Sequence, residues 1–202
     1  MFTGLIREIA EVKNFNGTTL SIKSSYIPKL GDSIAINGAC LTVTELFSKG
    51  FSVELAHESQ SVLATEHLKG KVHIEPAMQL GDRIEGHMVQ GHIDCTGKLI
   101  SIKPQRNGVD FHIELPLDFM PLVIAKGSIA VDGVSLTIND VSEKSFRLTI
   151  IDHTMKNTLF HTYKEGRRVN IETDMFARYI QSMFKSKKSL TWDEVDSITA
   201  LY

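Results

Sequence analysis

The sequence predicts a mainly β protein: two similar antiparallel barrels in tandem, then a helical tail. Three observations carry that prediction. First, an eleven-residue stretch is spelled twice, since Ser33-Ile34-Ala35-Ile36-Asn37-Gly38-Ala39-Cys40-Leu41-Thr42-Val43 returns 95 residues later as Ser128-Ile129-Ala130-Val131-Asp132-Gly133-Val134-Ser135-Leu136-Thr137-Ile138. Six of the eleven positions are identical, and four more keep their chemistry: Ile36 with Val131, Asn37 with Asp132, Cys40 with Ser135, Val43 with Ile138. Lys71-Val72-His73-Ile74-Glu75 likewise meets Arg168-Val169-Asn170-Ile171-Glu172, and Glu58-Ser59 meets His153-Thr154, so one domain has been duplicated. Second, both copies carry short alternating apolar runs at even spacing. Third, the period changes after Asp174.

In the first copy, alternation places strands around Leu20 and Ile22, Ile34 and Ile36, Leu41 and Val43, Phe51 to Leu55, and Val72 and Ile74. Turn signals at Asn16-Gly17, Pro28-Lys29-Leu30-Gly31, Asn37-Gly38 and Ser48-Lys49-Gly50 separate them. Asn37-Gly38 suits a tight hairpin turn because both residues tolerate positive φ at low cost, and Asp132-Gly133 repeats the signal. The second copy's strands fall around Val109 to Leu115, Ile129 and Val131, Leu136 and Ile138, Phe146 to Ile150, and Val169 and Ile171. Full or nearly full closure of each set removes exposed strand edges. No Pro- or Ser-rich linker divides the copies, so the halves are expected to touch, with domains at 1–87 and 88–174 and a join near Gly86-His87. In the tail, 175–202, residues Phe176, Tyr179, Ile180, Met183 and Phe184 share one helical face. Thr191-Trp192-Asp193-Glu194 has capping-box spacing for a second short helix carrying Val195, Ile198 and Leu201. The apolar face either packs back on its own chain or builds an oligomer, and the pattern favours neither.

The bulk properties narrow the function. A net charge of −2, with Lys and Arg scattered, leaves no electrostatic footprint for nucleic acid or an anionic membrane surface. No charged-then-apolar leader opens the chain, and no apolar run approaches the ~20 residues of a membrane span. Two cysteines, Cys40 and Cys95, are too few for a disulfide framework or a zinc site. A cytoplasmic protein with a small-molecule or protein partner is the expectation.

Phosphate-binding, dinucleotide, serine-hydrolase and zinc-protease motifs are all missing, so the search turns to polar residues that recur in both copies. Positions i and i+2 of a strand share a face, which sends Cys40 and Thr42 to one side, and Ser135 and Thr137 likewise. Either pair, beside the backbone groups of a barrel mouth, is able to grip a flat heteroaromatic ring. The bland reading is that Thr suits any strand and Cys is a small buried residue. Gly86-His87-Met88-Val89-Gln90-Gly91-His92 is the other dense polar segment. Its two histidines lack a third ligand cluster nearby, so no metal is expected; hydrogen bonding at the join, or general-base work by one of them, fits better. Asp174 suits a helix cap, a substrate contact or both.

Taken together, these residues resemble the riboflavin synthase family. The likeness runs through Met1-Phe2-Thr3-Gly4-Leu5-Ile6, Gly31 to Gly38, Cys40-Leu41-Thr42-Val43, Gly86 to Asp94, Lys126-Gly127-Ser128, Asp132 to Thr137, His153 to Thr158 and Val169 to Asp174. It implies two six-stranded Greek-key barrels per subunit, a homotrimer held by the C-terminal helices, and active sites between the N-terminal barrel of one subunit and the C-terminal barrel of its neighbour. It also implies a transferase that needs no cofactor. Two molecules of 6,7-dimethyl-8-ribityllumazine per active site exchange a four-carbon unit, giving riboflavin and 5-amino-6-(ribitylamino)uracil in the last step of riboflavin biosynthesis. Lumazine-carrying proteins of the same fold, which catalyse nothing, are the alternative. Association with lumazine synthase is left open.

By the resemblance, the first barrel's ligand meets Gly4, Leu5, Ile6, Cys40, Leu41, Thr42, Glu58 and Ser59. The second's meets Gly91, His92, Ile93, Lys126, Ser135, Leu136, Thr137, His153, Thr154, Met155, Lys156, Asn157 and Thr158. Ser135 with Thr137, and Cys40 with Thr42, are assigned to hold the rings and stabilise developing charge, His92 to transfer protons, and Asp174 to orient the ribityl chain or a proton relay. The chain departs from the family where a Glu-Thr-x-x-x-Thr pattern is usual, having Glu58-Ser59-Gln60-Ser61-Val62-Leu63, and where Glu85 replaces a usual Gly. A duplicated barrel suits such a reaction, because two matched pockets turn an encounter between identical molecules into a step between held partners.

Overall fold

The computed structural model describes residues 1–185; of the side chains within it, those of residues 57–59 and 185 lie outside the description, as does the second tail helix expected at 191–201. The first copy folds as β1 (Glu8–Phe15), β2 (Thr19–Lys23), β3 (Ser33–Ile36), β4 (Ala39–Phe47), β5 (Gly50–Glu54) and β6 (Lys71–Pro76), with a short helix α1 (His57–Val62) before β6. The second repeats it as β7 (Cys95–Gln105), β8 (Gly108–Glu114), β9 (Ser128–Val131), β10 (Val134–Val141), β11 (Ser145–Ile150) and β12 (Arg168–Thr173), with α2 (Asp152–Asn157) in the matching place. Helix α3 (Met175–Lys185) follows. Each set closes into a six-stranded antiparallel barrel; the order β1-β2-β5-β4-β3-β6 recurs in the second as β7-β8-β11-β10-β9-β12. Among the described residues no helix is long and apolar enough to cross a membrane.

Alternation builds both cores. Leu20, Ile22, Ile34, Ile36, Phe51 and Val53 fill the first barrel, and Phe111, Ile113, Val131, Leu148, Val169 and Ile171 the second; all are buried. Each such side chain contributes about 1.5–3 kcal/mol. The tight turns form as expected, Asn37 and Gly38 at φ 44° and 85°, Asp132 and Gly133 at 46° and 81°. The opening strand of each barrel, β1 and β7, had no reading in the alternation. Both carry a register shift, between Val12 and Asn14 and between Leu99 and Ser101, as β4 and β10 also do beyond Val43 and Ile138.

The halves touch through reciprocal contacts, as in an isologous interface. The hairpin tips pack backbone to backbone: a Cβ on Gly38 would lie 2.8 Å from the Gly133 nitrogen, and one on Gly133 2.8 Å from the Gly38 nitrogen. His73 on β6 and Asn170 on β12, at matching positions, each span the joint. His73 donates from Nδ1 to Asp132 O (2.9 Å) and accepts at Nε2 from Leu159 N (2.7 Å). Asn170 donates from Nδ2 to Asn37 O (2.9 Å) and accepts at Oδ1 from Ala64 N (2.8 Å). An imidazole and a carboxamide thus serve the same two roles, one donor and one acceptor.

Helix α3 forms where the period changed, and its apolar stripe stays open. Phe176, Tyr179, Ile180, Met183 and Phe184 are each more than half exposed among the described residues. The described part of its own chain therefore leaves most of that face uncovered.

Candidate active site

The duplicated hairpins are each lined by an arm from the other copy. The arm before β1 runs beside the segment before β7, joined where Phe2 N donates to Val89 O (2.7 Å) and Val89 N to Phe2 O (3.1 Å). The two arms then part. Ser135 N donates to Gly4 O at 2.8 Å, and Cys40 N donates to Gly91 O at 2.8 Å. Both glycines are left-handed, φ 76° and 82°, and both lie too close for a side chain. A Cβ on Gly4 would sit 2.6 Å from Ser135 Cβ, and one on Gly91 2.5 Å from Cys40 Cβ. Each arm is held from its own barrel by a buried carboxylate: Glu75 accepts from Thr3 N (2.7 Å) and Gly4 N (3.0 Å), Glu172 from Gln90 N (2.7 Å) and Gly91 N (2.8 Å). Burial raises the pKa of both carboxyls, and these amide donors offset part of the rise.

This exchange regroups the residues expected from sequence. Gly91, His92 and Ile93, expected in the second barrel's pocket, line a cavity of about 450 Å³ with Ala39, Cys40, Ala56, Val62 and Leu63 of the first copy. Leu5 and Ile6, expected with Cys40, instead line a cavity of about 530 Å³ with Arg7, Glu85, His153, Lys156 and Asn157. The physical reason is the crossing of the arms, which sequence order cannot reveal. Leu41 is buried in the core, while Thr42 and Thr137 stand exposed on their strands. Lys126 is exposed and left-handed (φ 68°), and its amide donates to Ile138 O, just past Thr137. Thr158 is occupied locally, donating to Thr154 O and accepting from Phe160 N. Met155 packs against the second core, whereas the side chains of Glu58 and Ser59 lie outside the described residues. A cavity of about 620 Å³ lies by Phe47 at the far end of β4 from Cys40, and none of the duplicated hairpin residues lines it.

The resemblance gives proton transfer to His92, and the structure puts a different histidine at the Ser135 hydroxyl. His87 Nδ1 lies 2.7 Å from Ser135 Oγ. The pocket wall is tight there, since a Cβ on Gly86 would reach Thr3 O at 2.1 Å and Ser135 Cβ at 2.9 Å. Burial lowers the His87 pKa, and the charge of Asp174 works against that, so the ring is held neutral at pH 7 with a carboxylate near enough to favour its charged form. Asp174 also caps α3, its Oδ1 accepting from Phe176 N at 2.8 Å. A neutral imidazole bonded to a hydroxyl and influenced by a carboxylate can move a proton to or from a ligand. His92 is exposed on the wall of the Cys40 cavity. Of the two histidines in the segment, sequence offered one clue to His87: it lies directly at the predicted join.

Two closed barrels with a hairpin cradle in each define a duplicated ligand-binding protein, and its class is that of the lumazine-binding domain, whose family model matches at residues 3–77 and again at 90–174. Curated relatives narrow the class. Riboflavin synthase of Actinobacillus pleuropneumoniae is 37% identical over 196 residues, covering 93% of this chain and 91% of that one. Those of Bacillus subtilis (38%; 89% and 88%) and Brucella abortus (36%; 93% and 100%) are similar. Among solved structures, LumP complexed with riboflavin superposes with a TM-score of 0.76 at 20% identity, over 86% of this chain and 99% of that one, a likeness of fold. The chain belongs to the riboflavin synthase family.

Proposed function

We propose that this chain is a riboflavin synthase: a transferase that takes two molecules of 6,7-dimethyl-8-ribityllumazine, moves a four-carbon unit from one to the other, and releases riboflavin and 5-amino-6-(ribitylamino)uracil. The exchange balances without an oxidant, reductant or cofactor. The observation that carries this reading is the twin cradle, in which each copy's hairpin meets the other copy's arm at Cys40–Gly91 and Ser135–Gly4. Identity of 36–38% to riboflavin synthases over nearly their whole length supports it.

In this reading the ring held at Ser135 exchanges its proton with the His87–Ser135 pair, while Asp174 stabilises the imidazolium that forms. Cys40, Gly91 and Ile93 hold the partner ring. The working molecule is a homotrimer assembled through the open face of α3, so that the two cradles of one reaction come from different subunits. Support for this is the five large apolar side chains that the described chain leaves exposed. We place the protein in the cytoplasm, consistent with two free cysteines.

The test is direct: incubate the purified protein with the lumazine and follow riboflavin by absorbance and the uracil product by chromatography. Equimolar products are expected. Tight binding without conversion would instead mark a lumazine carrier, and absence of binding would refute the reading. Light scattering should give three subunits, with Met183→Asp lowering that number.

A further inference from the structure

The two cradles differ in how their arms are fixed. In the first copy the Glu75 carboxylate is completed locally, by the Thr3 hydroxyl at 2.7 Å. The corresponding Gln90 has no hydroxyl, and helix α3 supplies the missing donor. Arg178 Nη2 donates to Gln90 Oε1 (2.8 Å) and to Glu172 (3.4 Å), and Nη1 donates to Asp94 Oδ1 (3.0 Å). Asp94 is itself anchored, accepting from the amide and hydroxyl of Thr173 at 2.7 and 2.6 Å. One guanidinium therefore grips both ends of the Gly91–His92–Ile93 segment, the segment that walls the Cys40 cavity. A forked, permanently charged donor is what three oxygens in this arrangement require, and a lysine reaches fewer of them.

We infer that Arg178 is a positioning residue for the Cys40 cradle: from helix α3 it fixes the Gln90–Asp94 segment and so sets ligand affinity at that cradle and not at the Ser135 one. The inference rests on the proposed function in taking the ligand to be the lumazine. It links the helix whose apolar face awaits a neighbour to the wall of one binding site, so assembly and occupancy of that site share a single side chain.

Cys40 supplies a local probe, because its thiol is partly exposed at the cavity while Cys95 is buried with its pKa pushed up to about 12. Alkylation of Cys40 by iodoacetamide should be slowed by 6,7-dimethyl-8-ribityllumazine in the wild type. In Arg178→Met the lumazine concentration for half-protection should rise about tenfold, the worth of one charge-assisted contact. KM should rise with it while kcat stays within about twofold, and Arg178→Lys should fall between. Gln90→Met, which cuts the contact from the arm's side and leaves the helix intact, should reproduce the shift even if Arg178→Met fails to fold. Half-protection unchanged in Gln90→Met and in folded Arg178 variants would overturn the inference while leaving the function standing. A wild type whose Cys40 gains no protection would remove the lumazine reading itself, and this inference with it.

Discussion

His73 offers the most exposed test of how the barrels are joined. Its hydrogen bonds fix one form of the ring: Nε2 accepts from Leu159 N and Nδ1 carries the proton given to Asp132 O. Protonation would set an N–H against an N–H. Burial lowers the His73 pKa from 6.5 to about 4, and the nearby Arg167 and His161 push the same way. A base that is harder to protonate when folded contributes stability that is complete above pH 6.5 and is lost as pH falls toward 4. Between about pH 7.5 and 4.5 that loss amounts to roughly 2–3 kcal/mol, at 1.36 kcal/mol per unit of pKa. Asn170 shows that a carboxamide can fill the same two roles across the joint, so His73→Asn keeps one donor and one acceptor but cannot titrate. Urea unfolding of the two proteins at fixed concentration through this range should show the wild type losing roughly 2–3 kcal/mol more than the variant. Other groups titrate here too, His67 among them, but they are common to both proteins and cancel in the difference. Parallel stability curves would refute the neutral, bridging imidazole.

Two further predictions concern the cradles. His87→Gln should lower kcat by about 10²-fold or more, and Asp174→Asn, by removing the charge that raises the His87 pKa, should move the acid limb of kcat/KM to lower pH; a limb that stays put in a pH–rate profile would exclude the coupling. Gly91→Ala should abolish lumazine binding at Cys40 and Gly4→Ala binding at Ser135, so that calorimetry finds one site per chain where the wild type has two. Each should also cost about 1–2 kcal/mol from its left-handed backbone alone.

Much of the architecture was legible because it was written twice. Asn37-Gly38 and Asp132-Gly133 announced their turns, and the alternating residues from Leu20 to Ile74 announced the barrel interior. β1 and β7 went unread; each has a register shift, but so do β4 and β10, whose alternation shows ahead of theirs. The site was legible by residue type but not by grouping. Gly4 and Gly91 were each placed in a pocket by the resemblance, yet nothing in their order along the chain says that each belongs to the other copy's hairpin. His87 could not be told from His92, and Arg178 could not be singled out, for a related reason. They act through contacts 48 and 84–88 residues distant in sequence, and no local pattern encodes a partner so far away.

A pair of identical cradles cannot give two identical molecules different roles, yet the proposed exchange needs one ring to lose a proton while the other receives a nucleophile. The asymmetry has to come from the protein, and the structure concentrates it at Ser135. There the hydroxyl is bonded to His87 with Asp174 nearby, whereas among the described residues no imidazole is hydrogen-bonded to Cys40. The second cradle is thus equipped for proton transfer and the first for holding. It follows that Cys40→Ala should affect KM more than kcat, and Ser135→Ala kcat more than KM. Steady-state kinetics on the two variants decides it: equal losses of kcat would mean that the duplicated cradles share the chemistry and that the His87 contact merely supports the joint.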